Sequence, residues 1–76
     1  MSETAYMIRQ AGPRQLNVID AMAGVQVGII TPRGDIEGTW VVSGNRVSFV
    51  VRHDNGSSQG FVYGLPSCTV VNTFRV

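Results

Sequence analysis

The sequence predicts an all-β domain, a small antiparallel meander or barrel of about six to seven strands. Three observations lead there. Turn-forming clusters recur at short intervals: "AGPR", "DAMAG", "TPRGD", "SGN", "HDNGSSQG" and "GLPS". The runs between them are short and rich in Val, Ile, Thr, Phe, Tyr and Trp, residues that fit a pleated, half-buried surface. Several of these runs alternate apolar and polar residues, the two-residue period of a strand with one buried face.

Taken in order, the strands fall at about 4–9, 15–20, 25–31, 36–42, 46–52, 60–64 and 68–75. The segment "GPRQLNVIDAMAG" admits a second reading. Pro13 near a start and Gly24 just past an end is helix punctuation, and Leu16, Ile19 and Ala23 would share a helical face. That alternative is an α+β fold with one short helix near 13–23. The alternation of Leu16 and Val18 about Asn17 favours strand, turn, strand.

The hairpin "IEGTWVVSGNRVSFVVR" has the best-defined register. A two-residue Gly44-Asn45 turn sets Ser43 opposite Arg46. Val42 then meets Val47, Trp40 meets Phe49 and Gly38 meets Val51, all on one face, while Glu37 lies opposite Arg52 on the other. The expected core is Ile36, Trp40, Val42, Val47, Phe49 and Val51, joined by Val27, Ile29, Val70 and Phe74.

The next connection is open between two geometries. If Asn55-Gly56 forms a tight type I′ turn, Val50 faces Phe61 and Ser48 faces Tyr63. Val41, Val50, Phe61 and Tyr63 then form a contiguous apolar patch on the outer face, and they are the interface candidates. A longer loop turns Phe61 and Tyr63 inward. The last run, "CTVVNTFRV", alternates Cys68, Val70, Asn72, Phe74 and Val76 to one face. It reads as a sheet strand or as an edge that pairs with a neighbouring subunit.

Size and charge bear on function. A chain of 76 residues makes one domain, 1–76, and is marginal as an isolated core. Cys68 has no partner for an internal disulfide, and one histidine with one cysteine makes no zinc cluster, so no cofactor or metal is expected. Charged residues are 14% of the chain, against about 25% in ordinary domains. A small chain with so little charge is expected to hide surface against a second copy or a protein partner.

The net charge of +1 gives no strong footprint for nucleic acid, and all six basic residues are arginine. No run approaches the roughly 18 apolar residues of a membrane span, and "MSETAYMIRQ" lacks the apolar stretch of a signal peptide. A cytoplasmic or virion-associated setting is therefore expected.

"RHDNGSSQG" places His53 beside Asp54, with Ser57 and Ser58 close behind. Neighbours on a strand point to opposite faces, so Asp54 is badly placed to orient His53 for nucleophilic catalysis. Turn chemistry accounts for Asp54, Asn55 and Gly56. Arg33-Gly34-Asp35 likewise reads as turn composition rather than an adhesive triplet, and Cys68 as a small buried hydrophobe.

The expected function is a non-enzymatic structural or protein-interaction module that self-associates. In its short polar-turn meander it is similar in general kind to small viral or mobile-element accessory proteins. The alternative is a small barrel that binds single-stranded nucleic acid or another ligand through an aromatic and arginine face. The polar loop or binding candidates are Arg46, Arg52, His53 and Asn55, with Phe61 and Tyr63 as stacking rings.

Overall fold

The computed structural model describes residues 5–76; the expected strand start at residue 4 lies outside them. Seven strands form: β1 (Tyr6–Gln10), β2 (Leu16–Asp20), β3 (Val25–Ile30), β4 (Gly34–Ser43), β5 (Arg46–His53), β6 (Ser58–Gly64) and β7 (Thr69–Arg75). They make two antiparallel meanders, β1-β2-β3 and β4-β5-β6-β7. The sheets share one core, and among the described residues no continuous ladder closes them into a barrel. The Ile36 N–H donates to the Pro13 carbonyl (2.8 Å) and ties the start of β4 to the β1–β2 turn.

The segment 13–23 is strand and turn, not helix. Leu16 and Val18 are fully buried, as their alternation about Asn17 requires. Asp20 ends β2: its carboxylate accepts the Met22 and Ala23 N–H groups, and its carbonyl accepts that of Gly24. Gly24 sits at φ 69°, the left-handed region that glycine enters without a Cβ clash.

The core consists of Ile8, Leu16, Val18 and Ile30 from one sheet, Val47, Phe49 and Val51 from the other, and Leu65. Ile36, Trp40, Phe61, Tyr63 and Cys68 pack against it partly buried. Five expected core residues are exposed instead: Val27, Ile29, Val70 and Phe74, at 42 to 49%, and Val42 at 36%. On β3 the parity of Gly28 and Ile30, paired with Val18 and Leu16, turns Ile29 to the far side, and the register shift opposite Val18/Ile19 sets Val27 outside the ladder. On β7 a second register shift, opposite Val62/Tyr63, breaks the single face expected from Cys68 to Val76. Val70 stays on the core side while Asn72 and Phe74 turn outward.

The β4–β5 hairpin keeps its expected turn. Ser43 pairs with Arg46, Val42 with Val47, and Gly44 takes φ 59° at the first turn position, as a type II′ turn requires. Farther from the turn a bulge intervenes, with Gly38 at φ 69°. Glu37 therefore faces Val50 rather than Arg52, and Ile36 rather than Gly38 faces Val51. The expected charge pair survives on the diagonal, with Arg52 Nε 2.7 Å from Glu37 Oε1.

The two sheets differ in length. Ten-residue β4 spans ~33 Å, whereas the five- and six-residue strands of the other sheet span ~17–20 Å. The molecule is accordingly elongated, 43 × 22 × 18 Å. Val42, on the core side of β4, reaches past the cover and is 36% exposed.

Candidate functional site

The β5–β6 connection decides which surface each candidate joins. The loop is the longer one. The His53 N–H donates to the Ser57 carbonyl (2.8 Å), and the Gly56 N–H donates to the His53 carbonyl (2.9 Å). This leaves a three-residue loop, Asp54-Asn55-Gly56, ending on Gly56 at φ 87°. Asn55 Oδ1 accepts the Ser57 N–H and hydroxyl, so this binding candidate serves the loop itself.

One extra loop residue shifts the ladder by one. Val47 now faces Tyr63 and Phe49 faces Phe61, and the tight-turn pairs of Val50 with Phe61 and Ser48 with Tyr63 do not form. Phe61 and Tyr63 thus turn to the core side, a correction to the expected outer patch. Tyr63 stacks on Phe49 with ring centroids 5.4 Å apart. Burial pushes its phenol pKa above the ordinary value, with the Cys68 thiolate charge a smaller cause, so the hydroxyl stays protonated as a donor.

Val41 and Val50 remain on the outer face of the four-stranded sheet. By register they are joined there by Val62 and Phe74, with Val71 alongside Gly64. Val41 is 63% exposed, Val71 48% and Phe74 42%. The Phe74 ring lies directly over Gly60, where an added Cβ would meet it at 2.1 Å. Glycine here allows the ring to lie flat on the backbone, an aromatic cover over a weak strand position. Sequence reasoning missed Val62, Val71 and Phe74 because their side depends on the loop length and on the β7 bulge.

One end of this face is polar. Glu37 accepts the Ser58 hydroxyl as well as the Arg52 guanidinium. Arg46 also belongs to this face, opposite Gly64. Arg46 and Arg52 therefore lie across the sheet from Phe61 and Tyr63, and the expected grouping of these two arginines with the two rings is not assembled.

A groove opens on the other side, between the Thr31–Arg33 linker and the core-side surface of β6 and β7. It encloses about 250 Å³, with Phe61, Tyr63 and Val70 as its floor and His53 at one end. His53 meets Phe61 edge-on, with centroids 6.1 Å apart, and its Nε2 lies 3.4 Å from Gln59 Oε1. Asp54 does not orient it: Asp54 and Asp35 both bind the Arg14 guanidinium, which holds the Arg14 pKa above its ordinary value. Ser57 and Ser58 donate to Asn55 and Glu37. No Ser–His–Asp arrangement forms here. In the Arg33-Gly34-Asp35 triplet, Gly34 is a buried strand residue and Asp35 is ion-paired, so the triplet is not a loop tip.

Cys68 is half-buried in the β6–β7 turn, with its thiol donating to the Pro66 carbonyl. Burial raises its pKa, and a hydrogen bond with the Ile29 backbone lowers it less. The neutral thiol is therefore favoured in the fold, and that preference is lost as pH rises through the raised value. Iodoacetamide is expected to alkylate Cys68 more slowly in the native chain than in denaturant at mildly alkaline pH, with the gap closing at higher pH. Equal native and denatured rates would contradict this placement.

Among the described residues no group of three or more His, Cys, Asp or Glu side chains is placed to hold a metal ion, and no helix is long and apolar enough to cross a membrane. Compared with protein-family models, with curated proteins and with solved structures, the chain matches none.

Proposed function

We propose that this chain is a non-enzymatic structural or protein-interaction module that self-associates through the outer face of the β4–β7 sheet. The observation that carries this reading is the distribution of apolar surface. Among the described residues eleven large hydrophobic side chains are exposed, against eight hydrophobic residues buried. Scattered exposed apolar residues are ordinary. Here Val41, Val71 and Phe74 lie on one sheet face with Val50 and Val62 between them, and contiguous patches of that kind mark interaction sites.

A second copy of the chain is the occupant that fits best. The apolar residues of the face lie between a polar end at Glu37, Arg52 and Ser58 and Arg46 at the other end, so a two-fold arrangement sets apolar against apolar and leaves the charged groups at the rim. A net charge of +1 opposes association of like copies only weakly. The β7 edge adds a second route. Its seven residues carry no proline or lysine, two of the devices that keep edge strands apart. A viral or mobile-element accessory role, cytoplasmic or virion-associated, suits such a self-assembling chain.

Substitution on the face tests this reading. Val62→Glu or Val50→Glu places a carboxylate in the apolar centre, where burial in an interface leaves it unpaired. Each is expected to reduce the solution mass to that of a single chain without loss of the β circular-dichroism signal. An unchanged oligomer mass in both variants would remove this face from the account.

A further inference from the structure

The groove between the Thr31–Arg33 linker and the β6–β7 surface lies across the sheet from the proposed interface, so a dimer formed through the outer face leaves it open. Its composition is specific. Phe61 and Tyr63 sit side by side with ring centroids 6.3 Å apart, and they offer aromatic surface to the groove. Arg33 stands exposed on the rim, and its guanidinium pairs with no carboxylate among the described residues. The nearby carboxylates of Asp35 and Asp54 are both engaged by Arg14. Among the described residues no acidic side chain lines the groove, and His53 adds ring N–H capacity at its end.

We infer that this groove binds one nucleotide unit, with the base against Phe61 and Tyr63 and the phosphate at Arg33. Stacking on aromatic side chains accommodates any base, because every base has a π-face. Arginine offers a planar fork that matches phosphate oxygens. The volume of about 250 Å³ falls just below that of sites for drug-sized ligands and suits one ring with its anionic group. The cation count sets the contact number. With Arg33 the one arginine at the groove that is unpaired among the described residues, the groove engages one phosphate rather than a tract. Binding therefore depends only shallowly on salt.

A free mononucleotide and a residue of a single strand present the same chemistry. Titration of thymidine monophosphate and of a labelled oligothymidylate, between about 50 and 200 mM salt, separates them. Equal affinity assigns the groove to free nucleotides, and tighter binding of the oligomer assigns it to a strand; either result supports the site. Arg33→Ala is expected to weaken binding several-fold and, for the oligomer, to reduce the log–log salt slope by about 0.7. Tyr63→Leu is expected to weaken it by about 5- to 150-fold. Arg33, exposed and unpaired among the described residues, can be replaced without disturbing the core, so that variant decides the matter even where Tyr63→Leu fails to fold. Lack of saturable binding by both probes at millimolar concentration, or affinity unaffected by Arg33→Ala, would overturn the assignment. The mass of the same samples keeps this result separate from self-association: a monomer that binds both probes refutes the proposed interface and leaves the groove standing.

Discussion

Replacing Phe49 with alanine is expected to cost about 3–5 kcal/mol. The residue is 2% exposed, lies on a central strand between Val47 and Val51, and stacks on Tyr63. Its removal forfeits the transfer free energy of a ring and leaves a cavity between two sheets that the backbone ladders prevent from collapsing. A domain of this length has a total stability on the order of 4–11 kcal/mol, so a single truncation removes about a quarter of it or more. Denaturant unfolding at fixed protein concentration measures the change, since self-association couples apparent stability to concentration. A midpoint close to that of the parent chain would show that the two sheets do not share the core described.

Gly34→Ala is expected to cost about 3 kcal/mol, the upper range for forcing an added methyl into packed structure. A Cβ built at Gly34 meets the Arg52 carbonyl oxygen at 2.2 Å and a Val51 methyl at 2.8 Å. The first of these is backbone, so no rotamer change relieves it, and the Gly34–His53 and Asp35–Arg52 pairings must open. The loss spreads to the Arg14–Asp35 ion pair and to the His53 end of the groove. Gly60→Ala is the instructive contrast. There the obstructing group is the ring of Phe74, which is 42% exposed and can swing toward solvent. Thermal unfolding of the two variants should separate them clearly, with Gly34→Ala much the lower. Equal melting temperatures would mean that the β4–β5 backbone yields as readily as a surface ring.

Much of this architecture is legible in the sequence because it rests on local chemistry. Recurrent turn clusters mark seven strands, Gly44-Asn45 specifies its hairpin, and the alternation of Val47, Phe49 and Val51 identifies the core face of β5. What escapes a linear reading is parity. Asn55-Gly56 serves equally well as a two-residue I′ turn or as the end of a three-residue loop, and one residue of difference moves Phe61 and Tyr63 from one face to the other. The bulges near Gly38 and Val71 act in the same way. Gly38 carries a signal, since glycine within a strand pattern often marks a bulge. Val71 carries none, because valine suits a regular strand equally well. The apolar outer face is therefore legible through Val41 and Val50 but not through its partners on β6. The groove is not legible, because Arg33 and His53 lie far from each other in sequence and meet the rings only when the linker folds over β6.

The central claim is that this chain conceals its outer sheet face against a second copy of itself. Light scattering across a concentration series tests it most directly. The account predicts a mass of at least two chains at high concentration, falling toward one chain on dilution, with little sensitivity to salt because the contact is apolar. A single-chain mass maintained at the highest concentration attainable would contradict it.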